Sequence, residues 1–304
     1  MQTFHESRVE PADIDNLGHM NVRVYARKAA QATHALVASL GLDANALLQD
    51  GSIVQAYDNH VRFYKEQMEG APLKVIAGVI SAAPEAITVY LELLNAETGD
   101  RAATFNNVIR LEDPTTRASK PFADEIIQQA LTHIVDWPDY GRPRSLPLEP
   151  VRTDITLQMM ADKQVMVRLE PYTLDADDCD SHGFMNLQDG TSLAFAKLPI
   201  KIKQQRGSAR GWGDDNMAIA TMESRQVLLA TPKLGDTIVT RSAHLAVGDK
   251  TVHSVHWSFN EAAGAPVSMI SQIGLGFDLT ERRARSFPPQ MRAVFEESIY
   301  PELA

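Results

Sequence analysis

The amino-acid sequence predicts an α+β chain built from two copies of one domain, each a long central helix wrapped by a curved antiparallel sheet. Three observations point there. First, residues 13–21 read D-I-D-N-L-G-H-M-N and residues 178–186 read D-C-D-S-H-G-F-M-N, so Asp13, Asp15, Gly18, Met20 and Asn21 recur 165 residues later as Asp178, Asp180, Gly183, Met185 and Asn186. Second, the same offset aligns Gly70 with Gly235, Asn95 with Asn260, Gly99 with Gly264 and Asp113 with Asp278. Third, each motif precedes four long β-rich runs separated by turn residues. A length of 304 residues agrees with two domains at about 150 residues each.

Taken in order, residues 3–12 read as a short strand. Val22, Tyr25, Ala26, Ala29, Thr33, Leu36, Val37 and Leu40 follow helical spacing, with Asn21 placed to cap the helix and Gly41 to stop it. After a short polar turn come strands near 52–65, 73–83, 86–95 and 101–112, with a hairpin signal at Glu97-Thr98-Gly99-Asp100. Pro121 opens a helix to His133; Pro138, Pro143, Pro147 and Pro150 then mark a linker over 134–150. Residues 152–164 carry no clear pattern. The second half repeats the meander near 217–230, 236–247, 251–260 and 266–279, with turns at Gly248-Asp249 and Ala262-Ala263-Gly264, and ends in a helix over 288–298. The expected domains are 1–133 and 151–304. A helix of about five turns needs a large apolar surface, and a curved antiparallel sheet provides one.

Composition narrows the function. Apolar residues make up 44% and charged residues 22%, ordinary globular values. The formal charge of −10 disfavours phosphate backbones, so no nucleic-acid partner is expected. Cys179, the single cysteine, cannot form an internal disulfide, which favours a reducing compartment. The N-terminal residues lack a signal-peptide apolar run, and no stretch approaches the roughly 18 apolar residues of a membrane span. A soluble cytoplasmic protein without a membrane partner is the expectation.

The motif D-x-D-x-x-G-H-x-N at the start of a long helix, with Tyr25 one turn inside, resembles the hot-dog thioesterases of the 4-hydroxybenzoyl-CoA thioesterase type. The likeness covers both halves and implies a tandem (double) hot-dog that hydrolyses an acyl-CoA thioester. In that family the second aspartate of the pair is the catalytic carboxylate, which implies Asp15, with Asp180 and Asn186 as a second-site candidate. The resemblance also puts the amide that polarises the thioester carbonyl at Val22. The residues agree with this chemistry. A carboxylate just before a helix N-terminus is kept ionised by unpaired N–H groups and the helix dipole, and the same N–H groups can bond a developing oxyanion. Asp15 then activates water or attacks the thioester carbon; the sequence leaves both paths open. His19 orients substrate or water, or merely bonds the loop. Asn21 reads first as a helix cap, Tyr25 as a core tyrosine or a pocket donor, and Asp13 as a loop-shaping residue. Gly18 lets backbone approach the substrate.

The second half departs from the pattern. Phe184 stands where His19 does, Gly190 where Tyr25 does, and Leu187 to Ser192 make a poor helix start. Asp180 therefore reads as a structural relic. Cys179 lies between two aspartates that raise its thiol pKa, against a nucleophilic role. For coenzyme phosphates the densest basic run is Lys201, Lys203, Arg206 and Arg210, with Arg62, Lys65 and Lys74 as weaker candidates. His253 and His256, three apart on a strand, fall on opposite faces, and no H-E-x-x-H, paired C-x-x-C or P-loop occurs, so no metal or cofactor is expected. Tyr57, Phe63 and Tyr64 are candidates for setting acyl-pocket depth. Two alternatives stay open: hydrolysis of acyl groups from acyl carrier protein, and a non-catalytic acyl-thioester binding protein. Association of two chains, as a homodimer of double hot-dogs, is open as well.

Overall fold

The computed structural model describes residues 1–167, 170–187 and 216–304. Two compact units emerge, Met1–Arg142 with Asn186–Ser192, and Pro143–Met185 with Leu193–Ala304.

In the first unit β1 (Gln2–Arg8) leads through a 3₁₀ turn, Pro11–Asp13, to α1 (Val22–Ser39). Then come α2 (Ala44–Asp50), β2 (Ile53–Phe63), β3 (Pro72–Ala82), β4 (Ile87–Asn95), β5 (Arg101–Glu112), β6 (Ser119–Lys120) and α3 (Asp124–Leu131). The strands pair antiparallel in the order β1-β3-β4-β5-β2, with β6 beside β5. Cross-strand register puts Val75 beside Leu93 and Ala77 beside Leu91, and Leu91 beside Phe105. Asn107, on the same face of β5, reaches Thr33 Oγ1 of α1 at 3.4 Å, which marks this as the helix side. The stripe Val24, Tyr25, Ala29, Ala32, Leu36 and Val37 packs there, at most 4% exposed. Burial of that stripe, more than intrinsic propensity, holds the helix.

The opposite face carries a polar knot. Glu92, 4% exposed, accepts from Tyr90 Oη (3.1 Å), Tyr140 Oη (2.8 Å) and Arg101 Nε (2.9 Å). Arg62 donates to the carbonyls of Tyr140 (2.6 Å) and Arg142 (2.9 Å), fastening the 138–142 segment over the sheet.

The second unit contains α4 (Leu157–Asp162), β7 (Met166–Val167), β8 (Tyr172–Thr173), β9 (Met217–Leu228), β10 (Thr237–Val247), β11 (Thr251–Asn260), β12 (Pro266–Asp278), β13 (Arg283–Ala284) and α5 (Pro289–Glu296). Its sheet runs β9-β12-β11-β10-β7, with β8 on β10 and β13 on β12. One core joins Trp257, Phe259 and Met269 to Ile155, Met160 and Leu303, and Trp257 Nε1 donates to Leu303 O at 3.0 Å. On β9, Glu223 accepts the N–H groups of Arg144 and Ser145, both at 2.9 Å. Two residues on, Arg225 donates to the carbonyls of Pro147 and Glu149, both at 2.8 Å. The proline-rich segment is therefore strapped to the sheet from 144 to 149.

The tandem hot-dog plan repeats bond by bond. Met20 N→Gln67 O (2.8 Å) recurs 165 residues later as Met185 N→Pro232 O (2.8 Å), and Gly99 N→Asn95 O (2.9 Å) as Gly264 N→Asn260 O (2.8 Å). Likewise Val79 N→His133 O (2.9 Å) recurs as His244 N→Ser298 O (2.9 Å). The expected meanders lie within two residues of the observed strands. Some expectations need correction. The first strand stops at Arg8, because Pro11 starts the 3₁₀ turn. The polar turn after Gly41 is the helix α2, capped by Asp43 and burying none of its residues, so it had no apolar stripe to reveal it. The helix expected from Pro121 begins at Asp124. A second central helix would fall on 188–215, outside the described residues.

Candidate active site

The nine-residue motif forms a small loop closed by its own backbone. Asp15 N donates to His19 O (3.0 Å), Gly18 N to Asp15 O (3.2 Å), and Ile14 bridges Met20. Gly18 sits at φ +83° with nothing near an added Cβ, so the turn needs glycine for its backbone sign rather than for space. Asp13 shapes the loop: one oxygen pairs with Arg27 (2.6 Å), the other accepts Glu10 N (3.1 Å), and its carbonyl accepts Asn21 N (2.9 Å). Asn21 caps α1 through Oδ1, which accepts Arg23 N at 3.0 Å.

This scaffold holds the Asp15 side chain, 10% exposed, at the amino end of α1. Its Oδ1 accepts Leu17 N at 2.9 Å and its Oδ2 accepts Asn21 Nδ2 at 3.2 Å. Asn21 thus does two jobs, capping with its oxygen and holding Asp15 with its nitrogen. His19 Nδ1 lies 4.0 Å from Asp15 Oδ2 and 3.2 Å from Met20 O. The Val22 N–H, in the first turn of α1, has no hydrogen-bond partner among the described residues, as expected of a helix N-terminus.

Two groups that sequence reasoning passed over complete the cluster. Glu66 places Oε1 3.3 Å from His19 Nε2. Gln67, 2% exposed, accepts Met20 N through its carbonyl and bonds Asn95 Nδ2 through Oε1 at 3.0 Å. Both lie in the irregular stretch after β2, where no periodicity marks them. Tyr25 Oη donates to Lys65 O at 3.2 Å, and its ring stands edge-on to Phe63, centroids 5.3 Å apart. Burial first, then the charges of Glu66 and Asp15, push its phenol pKa up, so it remains a neutral donor.

In the second unit Asp180 N donates to Phe184 O (2.8 Å), and Asp180 Oδ1 accepts the N–H groups of His182 (2.9 Å) and Phe184 (3.1 Å). Phe184 is buried under Lys233, 5.0 Å from its ring, so no imidazole faces this carboxylate from the equivalent of His19. Thr231 replaces Glu66, and Asn186 is exposed. Burial first, then Asp178 and Asp180, raise the Cys179 pKa. Lys201, Lys203, Arg206 and Arg210 lie outside the described residues. Arg62 donates to two carbonyls and Lys65 pairs with Asp100 at 2.5 Å. His253 and His256 bond Ser271 and Ser242 respectively. Among the described residues no three His, Cys, Asp or Glu side chains gather as a metal requires, and no helix is long and apolar enough to cross a membrane.

Residues 9–130 match the thioesterase-like superfamily. Among solved structures the chain is similar to the 12:0-ACP thioesterase from Umbellularia californica (TM-score 0.65, 11% identity, 90% of this chain and 93% of that one). It is also similar to an acyl-ACP thioesterase from Bacteroides thetaiotaomicron (0.60, 12%, 89% and 96%). A third is a provisionally assigned oleoyl thioesterase from Lactobacillus plantarum (0.64, 14%, 93% and 96%). No curated protein matches the sequence.

Proposed function

We propose that this chain, a thioesterase-like superfamily domain over residues 9–130 followed by a second unit on the same plan, hydrolyses acyl-CoA thioesters at Asp15. The observation that carries the reading is the Asp15 carboxylate bonded to Asn21, the cap of α1, and next to His19, with the first N–H of that helix, Val22, unbonded among the described residues. The thioester carbonyl oxygen is taken as bound by that N–H, which stabilises the negative charge that develops on attack. Asp15 then either removes a proton from water, whose oxygen adds to the carbonyl carbon, or adds to that carbon itself, and water resolves the resulting anhydride. In both paths the C–S bond breaks, the thiolate leaves and is protonated, and a free acid forms. His19, backed by Glu66, orients the water. In the second unit Phe184 and Thr231 stand where His19 and Glu66 do, and Asp180 is read as inactive.

The acyl-carrier reading also has support, because similar solved structures act on acyl-ACP. A thiol-release assay over acyl-CoAs of increasing length, each matched with the same acyl group on acyl carrier protein, tests both readings. Faster turnover of the CoA series supports the proposal; preference for the carrier protein replaces the substrate but keeps the site. Binding of both without thiol release overturns hydrolysis.

A further inference from the structure

The stretch 65–67 after β2 brings Glu66 to His19, and one side chain fixes its shape. Gln67 is 2% exposed, and both polar atoms of its amide are bonded. Its Nε2 donates to Glu66 O (2.9 Å) and Lys65 O (3.3 Å), while its Oε1 accepts Asn95 Nδ2 (3.0 Å). Asn95 sets that direction. Its Oδ1 accepts Glu97 N (3.0 Å) and Thr98 N (3.1 Å) in the turn between β4 and β5, so its nitrogen is the atom left to meet Gln67. Tyr25 Oη adds a second bond to Lys65 O from α1.

The fold itself does not need this brace. In the second unit Met185 N→Pro232 O reproduces Met20 N→Gln67 O, and Asn260 Oδ1 accepts Ala263 N as Asn95 Oδ1 accepts Thr98 N. Yet a proline occupies position 232, and Phe184 and Thr231 stand where His19 and Glu66 do. His19, Glu66 and Gln67 are therefore present together in one unit and replaced together in the other, while the backbone bonds around them repeat. We infer that Gln67 and Asn95 are positioning residues for hydrolysis at Asp15. They lock the 65–67 backbone in the arrangement that sets Glu66 Oε1 3.3 Å from His19 Nε2, so the pair is ordered before substrate arrives. The inference rests on the reading of Asp15, His19 and Glu66 as the hydrolytic site.

The test is a double-mutant cycle on the full chain, read by thiol release. Gln67→Met keeps the volume and removes the three bonds. Asn95→Asp keeps both turn bonds but sets an oxygen against Gln67 Oε1, which turns that amide away from the two carbonyls. Each should lower kcat about three- to tenfold, as Glu66→Gln does, with KM unchanged. Added to Glu66→Gln, neither should lower kcat by more than about twofold further, because both act through Glu66. Asn260→Asp, in the unit without a glutamine at this position, should keep the full rate. The His19 imidazole signals in the NMR spectrum, at one pH and without substrate, should move alike in Gln67→Met, Asn95→Asp and Glu66→Gln. Full kcat in both Gln67→Met and Asn95→Asp, or losses that multiply with that of Glu66→Gln, would overturn the brace and leave hydrolysis at Asp15 standing. If the wild type releases no thiol, the reading of the site fails instead, and the His19 signals decide the brace: unmoved in both variants, it is wrong. Should Gln67→Met not fold, Asn95→Asp carries both measurements.

Discussion

Replacing Asp15 with asparagine changes one atom, and its consequences follow from the hydrogen bonds around it. Oδ1 must go on accepting from Leu17 N, so the new amide nitrogen takes the place of Oδ2 and faces Asn21 Nδ2 across 3.2 Å. Two donors then oppose each other. Asn21 cannot turn its amide to relieve this, because its oxygen caps α1 at Arg23 N. The loss is one hydrogen bond to a charged acceptor, about 2 kcal/mol, or roughly 4–8 °C in the melting temperature of a unit this size. Turnover should fall far more, by about 10²–10⁴ for removal of a positioned base. Asp180→Asn is the internal control: its Oδ1 takes the amides of His182 and Phe184, which an asparagine oxygen also does, and Phe184 stands where His19 does, so the rate should barely move. Thiol release and thermal melting of the two variants read both quantities. Full turnover by Asp15→Asn on every hydrolysed thioester would refute the assignment.

Other outcomes follow from the same geometry. Glu66→Gln removes the charge 3.3 Å from His19 Nε2 at a half-buried position; turnover should drop about three- to tenfold with an unchanged melting curve. Glu92→Leu strips three donors of their acceptor and leaves Arg101 without its partner; chemical denaturation should show a loss of about 3–5 kcal/mol. His253 has its pKa lowered, chiefly by burial, so the folded chain resists the proton that an unfolded chain accepts. Its contribution is therefore complete above pH 6.5, the ordinary value, and declines as pH falls below it. His253→Gln should flatten the acid limb of a stability-against-pH curve measured by denaturant melts.

How much of this was legible beforehand depended on periodicity. α1 and the long strands declare themselves because an apolar stripe or an alternating row must repeat along them, and the turns because Gly99 and Gly264 need positive φ. The Asp15 loop was legible through its spacing, and the cap at Asn21 through its residue type. Elements too short to carry a period escaped: α2, α4 and the two-residue strands β6, β7, β8 and β13. So did contacts between distant segments. Glu66 and Gln67 reach the loop only because β2 ends beside it, and the engagement of Arg62 by Tyr140 and Arg142 joins positions far apart in the chain.

The carboxylate and guanidinium on β9 have a consequence for any attempt to isolate the second half. Cutting at residue 151, where the prolines end, would remove the amides and carbonyls that Glu223 and Arg225 hold. A buried acid and a buried base would lose those partners. The second compact unit therefore starts at Pro143, and what reads as tether in the sequence belongs to the body it leads into.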